Sequence, residues 1–107
     1  MIDLDQRHLG LAQTIIEKHL TNVGATVYVF VFGSRATLGA KKFSDLDICL
    51  QCPDTLTLPS AILSALRLDF EESNFPYFVV IVDYNACDPG FRNIIDQTKV
   101  LWLTFQE

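Results

Sequence analysis

A run of seven β-branched and aromatic residues, TVYVFVF at positions 26–32, most constrains the fold of this 107-residue chain. Residues of these types favour β-strands, and a strand with large apolar side chains on both faces must be covered on both sides. Apolar residues recur at helical spacing over positions 3–20 and from Pro59 to about Ser73. The run therefore predicts a buried strand in a sheet against which helices pack.

Three further strands and a third helix complete the predicted order of elements. Strands are predicted at 46–51, 77–84 and 99–105, and Asp88-Pro89 combines the capping acid and the proline that start a helix. Gly33-Ser34 starts a short helical piece directly after the first strand. This alternation predicts one α/β (α+β) domain over residues 1–107, with a single mixed sheet of about four strands flanked by helices.

Composition and charge exclude several classes of function. Half of the residues are apolar and the net charge is −5, which argues against binding of nucleic acid, because contacts to its backbone need clustered Lys and Arg. No apolar run approaches the ~18 residues of a membrane span, and the N-terminus lacks the features of a signal peptide. We therefore expect a cytoplasmic protein with no membrane association, whose three cysteines are free thiols.

The segment after the first strand carries the residues with the clearest chemistry. A helical turn that begins at Gly33-Ser34 presents backbone N–H groups and a hydroxyl, which suit an anion such as phosphate. Asp45 and Asp47 are two residues apart on a predicted strand, so they share a face. Two adjacent carboxylates repel each other unless a cation lies between them, and Mg²⁺ takes carboxylate oxygens and substrate phosphates. Each fragment alone fits an ordinary turn or a solvated strand end, but together they indicate a phosphoryl- or nucleotidyl-transfer site.

The pattern G-S-x(10)-D-x-D, formed here by Gly33-Ser34 and Asp45-Leu46-Asp47, resembles the signature of the DNA polymerase β-like nucleotidyltransferases. The short chain resembles their minimal branch (MNT) of the HEPN/MNT antitoxin type, and the resemblance covers nearly the whole sequence. It implies Mg²⁺-dependent transfer of a nucleoside monophosphate from ATP or another NTP to a hydroxyl acceptor. It also implies that Gly33 and Ser34 bind the donor phosphates, and that Asp45 and Asp47 are catalytic and bind the metal.

The resemblance further implies a protein partner, usually a small helical HEPN-type toxin that carries the acceptor hydroxyl. Antibiotic modification is a rival, but those family members normally carry an additional C-terminal domain. Arg35 and Lys42 are candidate phosphate contacts from their charge alone, and solvated surface cations are the alternative for both. The acceptor, the preferred nucleotide and the formation of a homo-oligomer stay open.

The segment around position 80 departs from the family's pattern. The family usually has a third acid in a segment of the form P-[WY]-x-V-D-[IL]-[ILV]-D-[WY], and residues 76–84 read PYFVVIVDY here, which places Val80 at the acid's position. Asp83 is three residues further on, so it faces the other side of a regular strand and could bind metal only if a β-bulge re-aimed it. A smaller departure is Leu38, which stands where the family has glycine.

The missing acid leaves two functions open. The first is an active nucleotidyltransferase, in which one Mg²⁺ still accompanies the donor phosphates. The second is a catalytically weakened or inactive member that acts as a protein-binding antitoxin module, because the metal that activates the acceptor loses a ligand at Val80. His8 and His19, on the first helix, are expected to be surface side chains.

Overall fold

The computed structural model describes residues 2–106, and for Asp54 it describes the backbone only. Strands and helices follow one another in the predicted order, and a single turn of 3₁₀-helix follows each of the first three strands. The elements are α1 (Gln6–Leu20), β1 (Val27–Phe32), β2 (Leu46–Gln51), α2 (Ser60–Glu72), β3 (Val79–Asp83), α3 (Pro89–Thr98) and β4 (Val100–Phe105), with 3₁₀ turns at Gly33–Arg35, Pro53–Thr55 and Tyr84–Ala86.

The four strands form one mixed sheet in the order β3-β2-β1-β4. β1 is antiparallel to both of its neighbours, whereas β2 and β3 are parallel. Parallel neighbours need a crossover connection, and α2 supplies it. The predicted α/β fold with a mixed four-stranded sheet is therefore confirmed.

Helices cover both faces of the sheet, and β1 contributes side chains to both cores. On one face, α1 and α2 bury the larger core, which takes Val27, Val29 and Val31 from β1. On the other face, α3 contributes Ile95 to a smaller cluster with Phe32 and Cys49. The continuous run at 26–32 thus has the buried, two-sided environment that its residue types predicted.

Capping side chains define where two of the helices begin. Asp5 accepts a hydrogen bond from the His8 amide at 2.9 Å and starts α1. Asp88 accepts one from the Phe91 amide at 2.9 Å, with Pro89 as the first helical residue of α3. The helical pattern begins at position 3 with Asp3 and Asp5 both available as caps, and the structure starts α1 at Gln6 with Asp5 as the cap.

The expectation that His8 and His19 are surface side chains is wrong. The His8 ring packs edge-to-face against Phe75 and Tyr77, with centroid distances of 6.1 and 5.6 Å. His19 Nε2 lies 2.8 Å from a carboxylate oxygen of Asp69 on α2. Both rings are partly covered because they lie where α1 meets α2 and the segment before β3.

The three cysteines are free thiols, as expected. Cys49 and Cys52 are buried in different clusters, one on each side of the sheet, so the C-x-x-C spacing does not bring them together. Burial, followed by the nearby Cys87 thiol, raises the pKa of Cys49 to about 12, which leaves it protonated and unreactive at neutral pH. Within residues 2–106, every helix falls short of the length and apolar character that crossing a membrane demands.

Candidate active site

Asp47 lies on β2 between residues of both neighbouring strands. It is paired with Phe32 of the antiparallel strand β1 and with Val80 of the parallel strand β3. Paired residues of adjacent strands point to the same face, so all three side chains lie on the face that α3 partly covers. Asp45 precedes β2 by one residue, has the same parity as Asp47, and is exposed. The strand thus presents both acids on one face.

The Asp47 carboxylate lies directly against the backbone of Gly33. A Cβ atom built on Gly33 would be 2.5 Å from Asp47 Oδ2, so a side chain here would force the Asp47 carboxylate to move. Gly33 also has a φ of +75°, in the left-handed region that favours glycine. Glycine is therefore favoured by the backbone conformation, and it lets the two halves of the G-S-x(10)-D-x-D pattern come into contact.

The predicted short helical piece is a single 3₁₀ turn, Gly33–Arg35. The N–H of Gly33 donates to Thr98 Oγ1, the last residue of α3, at 2.9 Å. This amide therefore has a protein partner. The anion binding expected of the turn then rests on Ser34. Sequence reasoning missed Thr98, because a contact across 65 positions leaves no local pattern.

The two acids interact electrostatically. Burial raises the pKa of Asp47, and the negative charge of Asp45 raises it further. A cation held between the two carboxylates would remove that repulsion, and hard divalent ions prefer oxygen ligands of this kind. Among the residues that the structure describes, no group of three or more His, Cys, Asp or Glu side chains is placed to hold a metal ion. The candidate ligands here are thus the two aspartates, whose oxygens are of the kind that Mg²⁺ takes when substrate phosphates complete its coordination.

Asp83 does not belong to this site, so the possibility that it binds metal through a β-bulge is corrected. β2 and β3 pair in continuous register from Leu46 with Val79 to Leu50 with Asp83, which places Asp83 on the face opposite Asp47. Its side chain is 5% exposed and accepts hydrogen bonds from the amides of Leu58 (2.8 Å) and Asn85 (3.2 Å). The carboxylate therefore ties a loop and a turn to the end of β3.

Arg35 is neither a solvated cation nor an open phosphate contact. It is 4% exposed, and its guanidinium donates three hydrogen bonds to the carbonyl oxygens of Asp3 and Ser44. Arg35 is therefore not placed to contact a phosphate, and its prediction as a phosphate contact is wrong. Lys42 is exposed, with Nζ 5.4 Å from the centroid of the Phe43 ring, and it stays a candidate from its charge alone.

Apolar side chains border the acids on the β3 side. Phe78 is 83% exposed, Val80 is 37% exposed, and the carbonyl oxygen of Phe78 accepts the N–H of Leu46 at 2.9 Å. The pairing of β2 with β3 places Phe78 beside Asp45 and Val80 beside Asp47. The neighbouring Tyr77 packs against the core and is partly buried, so one aromatic of this segment faces the protein and the other is presented to solvent.

Leu38 adopts a backbone conformation that favours glycine. Its φ is +61°, and its side chain is 60% exposed. The glycine that the family pattern has at this position would relieve the strain of the left-handed conformation. The neighbouring Gly39, whose φ is not in this region, does not substitute for it.

The comparisons with known proteins agree with this fold. The probable protein adenylyltransferase MntA of Haemophilus influenzae is 29% identical over 100 residues, which cover 94% of this chain and 82% of the relative. A crystal structure of a toxin–antitoxin with AMP-PNP shares the fold at a TM-score of 0.65 and 22% identity, over 84% of this chain and 72% of that one. A candidate nucleotidyltransferase from Sulfolobus solfataricus has a TM-score of 0.56 and 23% identity, over 89% of this chain and 78% of that one.

The family described as polymerase beta, nucleotidyltransferase, matches residues 13–106, which include every element from the greater part of α1 to β4. The chain therefore belongs to the polymerase β nucleotidyltransferase family.

Proposed function

We propose that this protein binds Mg²⁺ together with ATP or another NTP at Asp45, Asp47 and the Gly33-Ser34 turn. In the proposed reaction it transfers a nucleoside monophosphate to a hydroxyl group on a small helical partner protein of the HEPN toxin type. The observation that carries the proposal is the contact between the Asp47 carboxylate and the Gly33 backbone, with Asp45 on the same face. That contact supports the proposal, because a metal held by Asp47 would lie close to a phosphate held at the turn.

Each residue has a distinct role in the proposed site. The absence of a side chain at Gly33 makes room for the Asp47 carboxylate against the turn, and the Ser34 hydroxyl donates a hydrogen bond to the phosphate. Asp45 and Asp47 hold the metal, which, when bound, neutralises charge on the phosphates and orients them. Lys42 is a candidate for a further phosphate contact, because its side chain is exposed and it precedes Asp45 by three positions in the sequence.

The comparisons support both the nucleotide and the partner. The relative from Haemophilus influenzae is named a protein adenylyltransferase, and one solved structure of the same fold is a toxin–antitoxin with AMP-PNP. The net charge of −5 suits a basic partner, whose association should weaken as salt screens the attraction.

A second function, a protein-binding antitoxin module with little or no turnover, is favoured by the side chains beside the acids. Val80 offers neither a metal ligand nor a base at the position where it adjoins Asp47. Loss of a general base typically lowers a rate by ~10²–10⁴-fold. Phe78, which is exposed on the same side, supplies apolar surface that a partner could cover.

A transfer assay distinguishes the two functions. The protein is incubated with Mg²⁺, ATP labelled on the α-phosphate and the HEPN-type protein that is co-expressed with it, and label on the partner is measured. Label that requires both Mg²⁺ and Asp47 supports transfer. A stable complex of the two proteins without label supports the binding module. A result that shows neither label nor a complex contradicts both functions.

A further inference from the structure

Arg35 is a buried charged residue that connects the two halves of the candidate site. Its Nε and Nη2 donate to the carbonyl oxygen of Ser44 at 3.1 and 2.8 Å, and its Nη1 donates to the carbonyl oxygen of Asp3 at 2.7 Å. A buried guanidinium is costly unless its donors are bonded. The positions of the two carbonyl groups are therefore tied to the position of this side chain.

The bonded groups border the site on both sides. Arg35 directly follows the Gly33-Ser34 turn, and Ser44 directly precedes Asp45. The two hydrogen bonds to Ser44 therefore close the loop that joins the turn to the acid pair. Arg35, the last residue of the 3₁₀ turn, therefore holds Ser44, the residue that precedes Asp45.

The N-terminal segment reinforces this closure. The N–H of Asp3 donates to the carbonyl oxygen of Arg35 at 2.7 Å, and a carboxylate oxygen of Asp3 accepts the N–H of Ala40 at 3.2 Å. The Arg35 guanidinium also donates to the carbonyl oxygen of Asp3. Asp3 thus contacts Arg35, just before the loop, and Ala40, in the middle of it.

Tyr77 supports the guanidinium from one face. The Cζ atom of Arg35 lies 4.3 Å from the centroid of the Tyr77 ring, which itself packs edge-to-face against Phe75 at 5.8 Å. A planar guanidinium can stack on a ring while its N–H groups donate in its own plane. Lysine carries the same charge but lacks the planar group with five donors that this arrangement uses.

We propose that Arg35 is a positioning residue that fixes the loop of residues 36–44 and so sets the place of Asp45 relative to the Gly33-Ser34 turn. Its effect on nucleotide binding rests on the function proposed above, whereas its effect on the loop does not. Tyr77 also helps to fix the loop, because its ring holds the Arg35 guanidinium in place.

Amide hydrogen exchange of the peptide that covers residues 36–45, measured without nucleotide, tests the proposal. Arg35→Lys is expected to speed exchange of this peptide by about tenfold or more, since each ~1.4 kcal/mol of lost stabilisation corresponds to a factor of ten. Arg67→Lys is the matched control, because Arg67 also donates to a carbonyl oxygen, that of Ile81 at 2.6 Å, but in the middle of β3 and not in the loop. It should leave exchange in the loop unchanged.

Tyr77→Leu gives an independent test that leaves every donor of Arg35 intact, and it also applies if Arg35→Lys fails to fold. It too should speed exchange of the 36–45 peptide. The proposal is overturned if this peptide exchanges at the wild-type rate in both Arg35→Lys and Tyr77→Leu. If Arg35→Lys does not fold, the wild-type rate in Tyr77→Leu alone overturns it.

Calorimetry with Mg²⁺ and ATP then tests the consequence. Arg35→Lys should weaken binding by about tenfold or more and Arg67→Lys should not. Weakened binding with wild-type exchange of the loop would mean that Arg35 acts on the nucleotide itself, which contradicts the proposal. If the wild-type protein fails to bind Mg²⁺ and ATP, the proposed function falls, while the exchange data still decide whether Arg35 fixes the loop.

Discussion

Val80 pairs with Asp47 across the parallel ladder of β2 and β3, so an isopropyl group stands beside a carboxylate on the same face of the sheet. In the family pattern this position carries an acid. The neighbouring acid in the sequence, Asp83, is buried on the other face and bonded to two backbone amides. A third carboxylate can therefore be added to the site by changing Val80 alone.

Val80→Asp should raise the rate of nucleotidyl transfer to the partner protein, by ~10²-fold or more if the added carboxylate acts as the base. Val80→Asn is the control, since it adds a polar group of nearly the same size but no negative charge. Transfer of label from ATP, measured under single-turnover conditions, checks the effect. Equal rates for the two variants would show that the missing acid does not limit the reaction.

Asp83→Asn should destabilise the protein without weakening the binding of Mg²⁺ and ATP. An amide has one acceptor oxygen where the carboxylate has two, so a buried N–H of Leu58 or Asn85 loses its partner, at a cost of about 1–3 kcal/mol. Urea unfolding and calorimetry measure the two quantities. Lost Mg²⁺ and ATP binding at unchanged stability would instead place Asp83 in the site.

Leu38→Gly should stabilise the protein by up to about 1 kcal/mol. The left-handed conformation costs a non-glycine residue ~1–2 kcal/mol, and the greater freedom of glycine in the unfolded chain offsets ~0.5–1 kcal/mol of the relief. Leu38→Ala keeps the strained φ and should bring no gain. The free energy of unfolding of the three proteins checks this, and a stabilised alanine variant would show that the exposed leucine side chain, not its backbone, is at fault.

The stability of the metal-free protein should depend on pH through Asp47. The pKa of Asp47 is raised in the folded protein, so the folded state favours the protonated acid. This preference stabilises the folded protein below the unfolded-state pKa near 3.8, and the stabilisation is lost as pH rises through the folded-state pKa of Asp47. Asp47→Asn removes this loss and should be the more stable protein at pH 7 without metal. Acids whose pKa is lowered, such as Asp69, act in the opposite direction in both proteins.

The difference in unfolding free energy between wild type and Asp47→Asn, followed against pH, therefore isolates Asp47. Mg²⁺ with ATP should stabilise wild type and reverse the order of the two proteins at pH 7. A difference that does not change between pH 3 and pH 7 would contradict the raised pKa.

Residue type and strand parity alone predicted much of the fold and part of the site. The bounds of β2 came out as predicted, because alternation of acids and apolar residues marks a half-buried strand. Parity also placed Val80 and Asp83 on opposite faces, as the ladder with β2 confirms. These predictions succeeded because they depend on the period of the strand and not on distant contacts.

Other features depend on contacts that no local pattern reveals. Arg35 is buried because the carbonyl groups of Asp3 and Ser44 converge on it, and backbone acceptors look the same at every position of a sequence. The bond from Gly33 to Thr98 joins residues that are 65 positions apart. β3 begins two residues later than predicted, at Val79, because Tyr77 turns into the core instead of continuing the ladder.

Calorimetric titration of the protein with ATP, in the presence and absence of Mg²⁺, tests most directly whether Asp45, Asp47 and the Gly33-Ser34 turn form a nucleotide site. Wild-type protein should bind ATP only with Mg²⁺. The double variant Asp45→Asn with Asp47→Asn should fold and fail to bind, whereas Asp83→Asn should bind as wild type does. Undiminished Mg²⁺-dependent binding by the double variant would contradict the assignment of the site.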